Sequence, residues 1–120
     1  MLARNDTARE LGQTPGNRIN RRRHPRVAGP FDGVRIGALD TPVRIYDLSR
    51  GGCFVNSFME EKEGVCFPMK IELPYGGWIE VIAETLYSRD GLGYAVRFTE
   101  MTGETASRLE LALTKLRSHG

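Results

Sequence analysis

Two short stretches concentrate reactive and ligand-binding side chains: Asp47-Leu48-Ser49-Arg50-Gly51-Gly52 and, upstream of it, Arg21-Arg22-Arg23-His24-Pro25-Arg26. The first supplies an acceptor, a hydroxyl and bare backbone. A carboxylate at a strand end can accept both N1–H and the exocyclic amine of guanine, and a serine hydroxyl can bond a base or a phosphate oxygen. Gly52 permits close backbone approach or a positive φ. The second stretch supplies cations. A guanidinium fork holds phosphate bidentately, reaches the O6/N7 edge of guanine and stacks on a purine. An anionic ligand with a base edge, such as a nucleotide, would use both stretches. Taken singly, each has a plainer explanation. An arginine run is more often a solvated basic linker, and Asp47–Gly52 reads as a turn held by Asp and Ser side chains.

The secondary structure around these residues follows from hydropathy period. Residues 1–17 are polar and aperiodic and read as a mobile tail. Residues 18–30 read as an arginine loop, in which Pro25 blocks a helix and biases His24 towards extended geometry. From Phe31 the period is two. Six strands are expected between 31 and 98: one from Phe31, one over Val43–Leu48, one over Cys53–Asn56, one over Val65–Leu73, one over Trp78–Tyr87 and one over Leu92–Phe98. In the second, Val43, Ile45 and Asp47 share one face and Arg44, Tyr46 and Leu48 the other. Pro68 demotes part of the fourth strand to an edge or bulge. Pro74-Tyr75-Gly76-Gly77 is a turn, and Ser88-Arg89-Asp90-Gly91 a hairpin turn of the Asp-Gly type. After Thr102, a residue type suited to an N-cap, Ala106, Leu109, Leu113 and Leu116 recur at helical spacing. One amphipathic helix over 102–117 is expected. Six short strands with frequent turns imply a closed or nearly closed antiparallel barrel, mainly β, with the helix covering an open end or side.

Composition bounds the function. The 120 residues suit one domain, with 40% apolar and 27% charged side chains and 14 glycines that favour turns over helices. The net charge of +2 is too mild to imply nucleic-acid binding, and no basic-aromatic face is interleaved. The two cysteines, Cys53 and Cys66, form no CxxC and have no histidine pair beside them, so a zinc site is not expected. Both read as core residues of a reduced, cytoplasmic protein without a membrane span or signal core. The two histidines, His24 and His119, belong to no acid-base-nucleophile set, and an enzyme is not expected.

Together the two stretches say more than either alone. Arg21-Arg22-x-x-x-Arg26, followed about twenty residues later by Asp47-x-Ser49-x-x-Gly52, resembles the signature of the PilZ domain. The resemblance spans residues 18 to 117 and includes the sixth strand, Gly91-Leu92-Gly93-Tyr94-Ala95-Val96-Arg97-Phe98, and the capped terminal helix. It implies a six-stranded barrel that binds the bacterial second messenger cyclic di-GMP, with no cofactor. In that resemblance Arg22 and Arg26 grip phosphates and guanine edges, Asp47 and Ser49 read a guanine, and Gly52 keeps the strand junction open. Arg21, directly before the motif, accompanies an intercalated ligand dimer in the family. Tyr87 matches a region where some members pack an aromatic on a guanine; a core or surface tyrosine is the alternative. The expected role is a non-enzymatic adaptor with an unidentified downstream protein partner, in which ligand orders the N-terminal segment. The competing role is an interaction module of the same fold that ignores the ligand.

Overall fold

A computed structural model describes residues 25–119. Its elements run β1 (Val27–Arg35), β2 (Thr41–Leu48), β3 (Gly52–Asn56), β4 (Cys66–Leu73), β5 (Gly77–Arg89), β6 (Gly93–Glu100) and α1 (Gly103–His119). The six strands close into an antiparallel barrel in the order β1-β2-β3-β6-β5-β4. Closure leaves no sheet edge open to pair with another chain.

Alternation builds the interior. On β5 the inward positions Ile79, Val81, Ala83 and Thr85 are buried, as are Phe67, Met69, Ile71 and Leu73 on β4. The facing wall contributes Val43, Ile45, Leu48, Cys53, Val55, Tyr94 and Val96. Leu48 departs from the strict alternation expected of β2. The register shifts between Ile45 and Asp47, so that Tyr46 and Asp47 together oppose Phe54 and Leu48 pairs with Cys53. This bulge turns Leu48 into the core, where it is fully buried, and leaves Asp47 on the outer wall instead of beside Ile45.

β1 also begins earlier than periodicity suggests. Val27 pairs with Leu48 and Ala28 with Asp47 before a register shift that ends at Phe31. The hydrophobic period is interrupted there by Gly29 and Pro30, which hides the strand from the sequence pattern. Pro68 lies neither at an edge nor in a bulge. It pairs in register with Ile82, and its carbonyl accepts from Ile36 N at 3.0 Å. The nitrogen of a strand residue points to the same side as its carbonyl, so the donor that proline lacks faces the place where β1 has already ended.

The helix begins as the capping pattern predicts. Thr102 Oγ1 accepts from Thr105 N at 3.1 Å, and Ala106 N donates to Thr102 O at 2.9 Å. Leu109, Ala112 and Leu113 enter the core and plug the end of the barrel where β6 finishes. Arg108 ties the helix to the β4–β5 turn through the carbonyls of Gly76 and Trp78. The opposite end is closed by the β3–β4 loop. There Arg35 pairs with Glu61 and lies 4.1 Å over the Phe67 ring, which meets Tyr94 edge-on.

Candidate ligand site on the outer barrel wall

The Asp47–Gly52 turn is built from its own serine. Ser49 is 4% exposed, and its Oγ accepts from Gly51 N and Gly52 N, each at 3.2 Å, while donating to Gly52 O at 3.2 Å. Ser49 N adds a 2.9 Å bond to Gly52 O, and Phe98 N reaches Gly51 O at 2.8 Å. The hydroxyl is therefore engaged in fixing the β2–β3 corner rather than displayed on the surface. Gly52 answers a steric demand at the same corner. A Cβ there would stand 2.2 Å from the Val96 carbonyl oxygen, so β3 and β6 can approach only around a glycine.

The corner holds Asp47 outward. Arg26, one residue before β1, places Nη1 2.7 Å from Asp47 Oδ1, and both side chains are 34% exposed. Register carries the wall onward from this pair. Asp47 opposes Phe54, Phe54 opposes Ala95, and Ala95 opposes Tyr87. The rings of Tyr46 and Phe54 stack at 6.2 Å with 10° between planes. Ala95, whose small side chain is buried, forms a low floor between Phe54 and the half-exposed Tyr87. Arg89 lies 5.4 Å over the Tyr87 ring. Beside this row, Gly52 opposes Arg97, which grips Glu84 Oε1 through Nε at 2.8 Å and Nη2 at 2.6 Å.

Of the residues singled out by sequence, Arg26, Asp47 and Gly52 come together at the β1–β2–β3 corner. Tyr87 shares their face two strands beyond β3. Ser49 is at the corner but faces inward. Arg21 and Arg22 lie outside the described residues, as does His24. Sequence reasoning passed over Tyr46, Phe54 and Arg97, which share the wall. Their signal was outward parity on strands, usable only once the β2 bulge and the strand order are known. Cys53 sits behind this wall, fully enclosed, and burial first, then the Asp47 charge, pushes its thiol pKa far up; Cys66, expected in the core as well, is exposed, because it opens β4 on the outward parity opposite to Phe67. No group of three or more His, Cys, Asp or Glu side chains able to hold a metal occurs among the described residues. No helix among them is long and apolar enough to cross a membrane.

No family model matches the chain, and no curated protein matches it in sequence. Solved structures do match. The PilZ domain of YcgR from Escherichia coli, solved with c-di-GMP, superimposes with a TM-score of 0.68 at 20% identity, covering 82% of this chain and 93% of that one. The Bacillus subtilis inhibitor of motility MotI/DgrA gives a TM-score of 0.69 at 17% identity, over 87% of this chain and 55% of that one. YcgR from E. coli in complex with c-di-GMP gives 0.69 at 22% identity, over 82% of this chain and 47% of that one. This chain thus spans about half the length of the last two. At these identities the likeness establishes a PilZ-like fold.

Proposed function

We propose that the chain is a cyclic di-GMP receptor, with the ligand held between the arginine segment and the outer wall at Asp47 and Gly52. The observation that carries this reading is the Arg26–Asp47 pair on the wall beside Gly52. It sets side by side a guanidinium and a carboxylate, the two groups a guanine nucleotide can use, on a corner fixed by the Ser49 bonds to Gly51 and Gly52. Likeness in fold to YcgR, whose PilZ domain was solved with c-di-GMP, adds support.

In this reading Asp47 accepts from the Watson–Crick edge of a guanine, and Arg26 leaves Asp47 for the ligand's phosphate or Hoogsteen edge. The exchange costs little, because a partly exposed ion pair contributes only about 0–1 kcal/mol. Charge-assisted bonds from the arginines to the phosphates, roughly 1.5–3 kcal/mol each, outweigh it. Arg21 and Arg22 join Arg26, and the phosphates neutralise their mutual repulsion. Arg21 favours two intercalated ligand molecules. Tyr87 supplies an aromatic face to a guanine, while Ser49 acts through the corner that aims Asp47. Binding draws the N-terminal segment onto the barrel and presents it to a downstream protein. No step requires bond making or breaking, so the chain acts as an adaptor and not as an enzyme.

Base selectivity tests the assignment. Competition titration should show wild-type protein preferring cyclic di-GMP to cyclic di-AMP, and Asp47→Ala should reduce that preference at least tenfold with an unchanged melting temperature. Equal selectivity in the two proteins would remove Asp47 from the site.

A further inference from the structure

The β3–β4 loop, residues 57–65, lies at the end of the barrel remote from the Asp47 corner. It is bonded along its length. Ser57 N donates to Leu92 O at 3.2 Å, and Met59 N to Ser57 Oγ at 3.0 Å. Glu61 N donates to Ser88 Oγ at 3.1 Å, Ser88 Oγ donates back to Glu61 O at 2.7 Å, and the Glu61 side chain takes Arg35. Gly64 N closes on Thr85 O at 2.8 Å. A loop strapped at this many points has its outward residues fixed. Those residues are Phe58, 97% exposed, and Met59, 72% exposed, beside Leu92 of the β5–β6 turn, 48% exposed.

This arrangement works against the chain's own solvation. Phe58 is held out of the core by the very bonds that close the barrel, and it packs on nothing. Large apolar groups that a rigid frame displays together mark contact surfaces, and Phe and Met are enriched in them. The surround is acidic. Glu61 is paired with Arg35, and of the remaining charges in segments 58–63 and 89–92 the three acids Glu60, Glu63 and Asp90 outnumber the two bases Lys62 and Arg89. Glu60 and Asp90 are both exposed, and the neighbouring Asp90 carboxyl raises the Glu60 pKa. Two facing carboxylates beside an apolar knob repel each other until a cation enters between them. An anionic lipid surface would be repelled by the same charges.

We infer that Phe58, Met59 and Leu92, rimmed by Glu60 and Asp90, form a docking knob for a protein partner that offers an apolar socket flanked by lysine or arginine. Phe58 is the anchor, and the Glu60–Asp90 pair selects the basic flank and speeds encounter. The surface is independent of the nucleotide site, so either assignment can fail without the other.

The test is selection of a random peptide display library on the immobilised full chain, followed by titration of synthetic peptides from the enriched sequences. The knob predicts sequences with aromatic or aliphatic anchors next to Lys or Arg. It predicts at least tenfold weaker binding to Phe58→Ser, several-fold weaker binding to Glu60→Lys, and no change with Arg26→Ala. The Phe58 side chain touches little of the fold, so Phe58→Ser should melt with wild type. Enriched peptides without basic residues, peptides that bind Phe58→Ser as well as wild type, or no selection at all would overturn the inference. A dimer in sedimentation that Phe58→Ser dissociates would also overturn it, by assigning the knob to a second copy of the chain.

Discussion

The two ends of the barrel are closed by different physics. At the helix end, Leu109, Ala112 and Leu113 enter the core, and closure is chiefly apolar, with Arg108 adding bonds to the Gly76 and Trp78 carbonyls. At the loop end, closure depends on directed contacts: Arg35 with Glu61, Arg35 over Phe67, and Ser88 with the Glu61 backbone. The helix end also carries the Asp47–Gly52 corner, about 16 Å along β3 from the loop end. Arg50 of that corner even reaches Glu110 of α1 at 3.6 Å. An apolar plug tolerates change on the wall above it, because its stability does not pass through the polar residues there. A polar strap fixes a loop in one pose, which suits display. Variants of the outward Arg26 and Asp47 should therefore spare stability, whereas loop-end variants should loosen a defined segment.

Four substitutions probe the contrast between the two ends. The largest effect is expected from Leu109→Ala, which leaves a cavity under the helix and should cost about 2–5 kcal/mol in a urea melt. A cost below that of a loop-end change would refute the apolar plug. Next, Glu61→Ala leaves the half-buried Arg35 without its partner. It should cost about 1–3 kcal/mol and speed amide exchange at 57–65 while leaving α1 protected. Uniform exchange would show that the strap is not local.

Thr85→Val acts in the opposite direction. Thr85 Oγ1 is buried with no hydrogen-bond partner, so replacing the hydroxyl by a methyl should stabilise the barrel by roughly 1 kcal/mol or less. The smallest effect concerns the Glu60–Asp90 pair. Asp90 raises the Glu60 pKa above that of an unfolded chain, so the folded form holds the proton more tightly. The pair's contribution to stability is therefore greatest below the ordinary carboxylate pKa and declines as pH rises through the raised one. Asp90→Asn should lower the Glu60 pKa in an NMR titration; an unchanged pKa would separate the two carboxyls.

Much of this was legible in the sequence because it rests on local rules. The number of strands, the Asp90-Gly91 turn and the Thr102 cap follow from alternation, positive-φ residues and capping. Gly91 has φ +77°, and Leu92 N closes the turn on Arg89 O at 3.0 Å. Three things were not legible. The β2 bulge depends on pairing with β3 and moves Leu48 and Asp47 to opposite faces. The start of β1 depends on pairing with Leu48 across a stretch whose own pattern Gly29 and Pro30 erase. The fate of the Ser49 hydroxyl depends on the turn geometry, which brings three backbone groups within its reach. Arg26 consequently stands anchored at the foot of β1 and paired with Asp47, rather than within a long loop. For the candidate site the residue types were readable. Which of them share a wall was readable only through register.

The most direct measurement is calorimetric titration of the full chain with cyclic di-GMP, run beside Arg26→Ala. Binding is expected at micromolar or tighter affinity, about 8 kcal/mol or more. Two ligands per chain are expected, and at least a tenfold loss in Arg26→Ala without a change in melting. No heat of binding at several hundred micromolar ligand (on the order of 5 kcal/mol), or equal affinity in the variant, would contradict the proposed site.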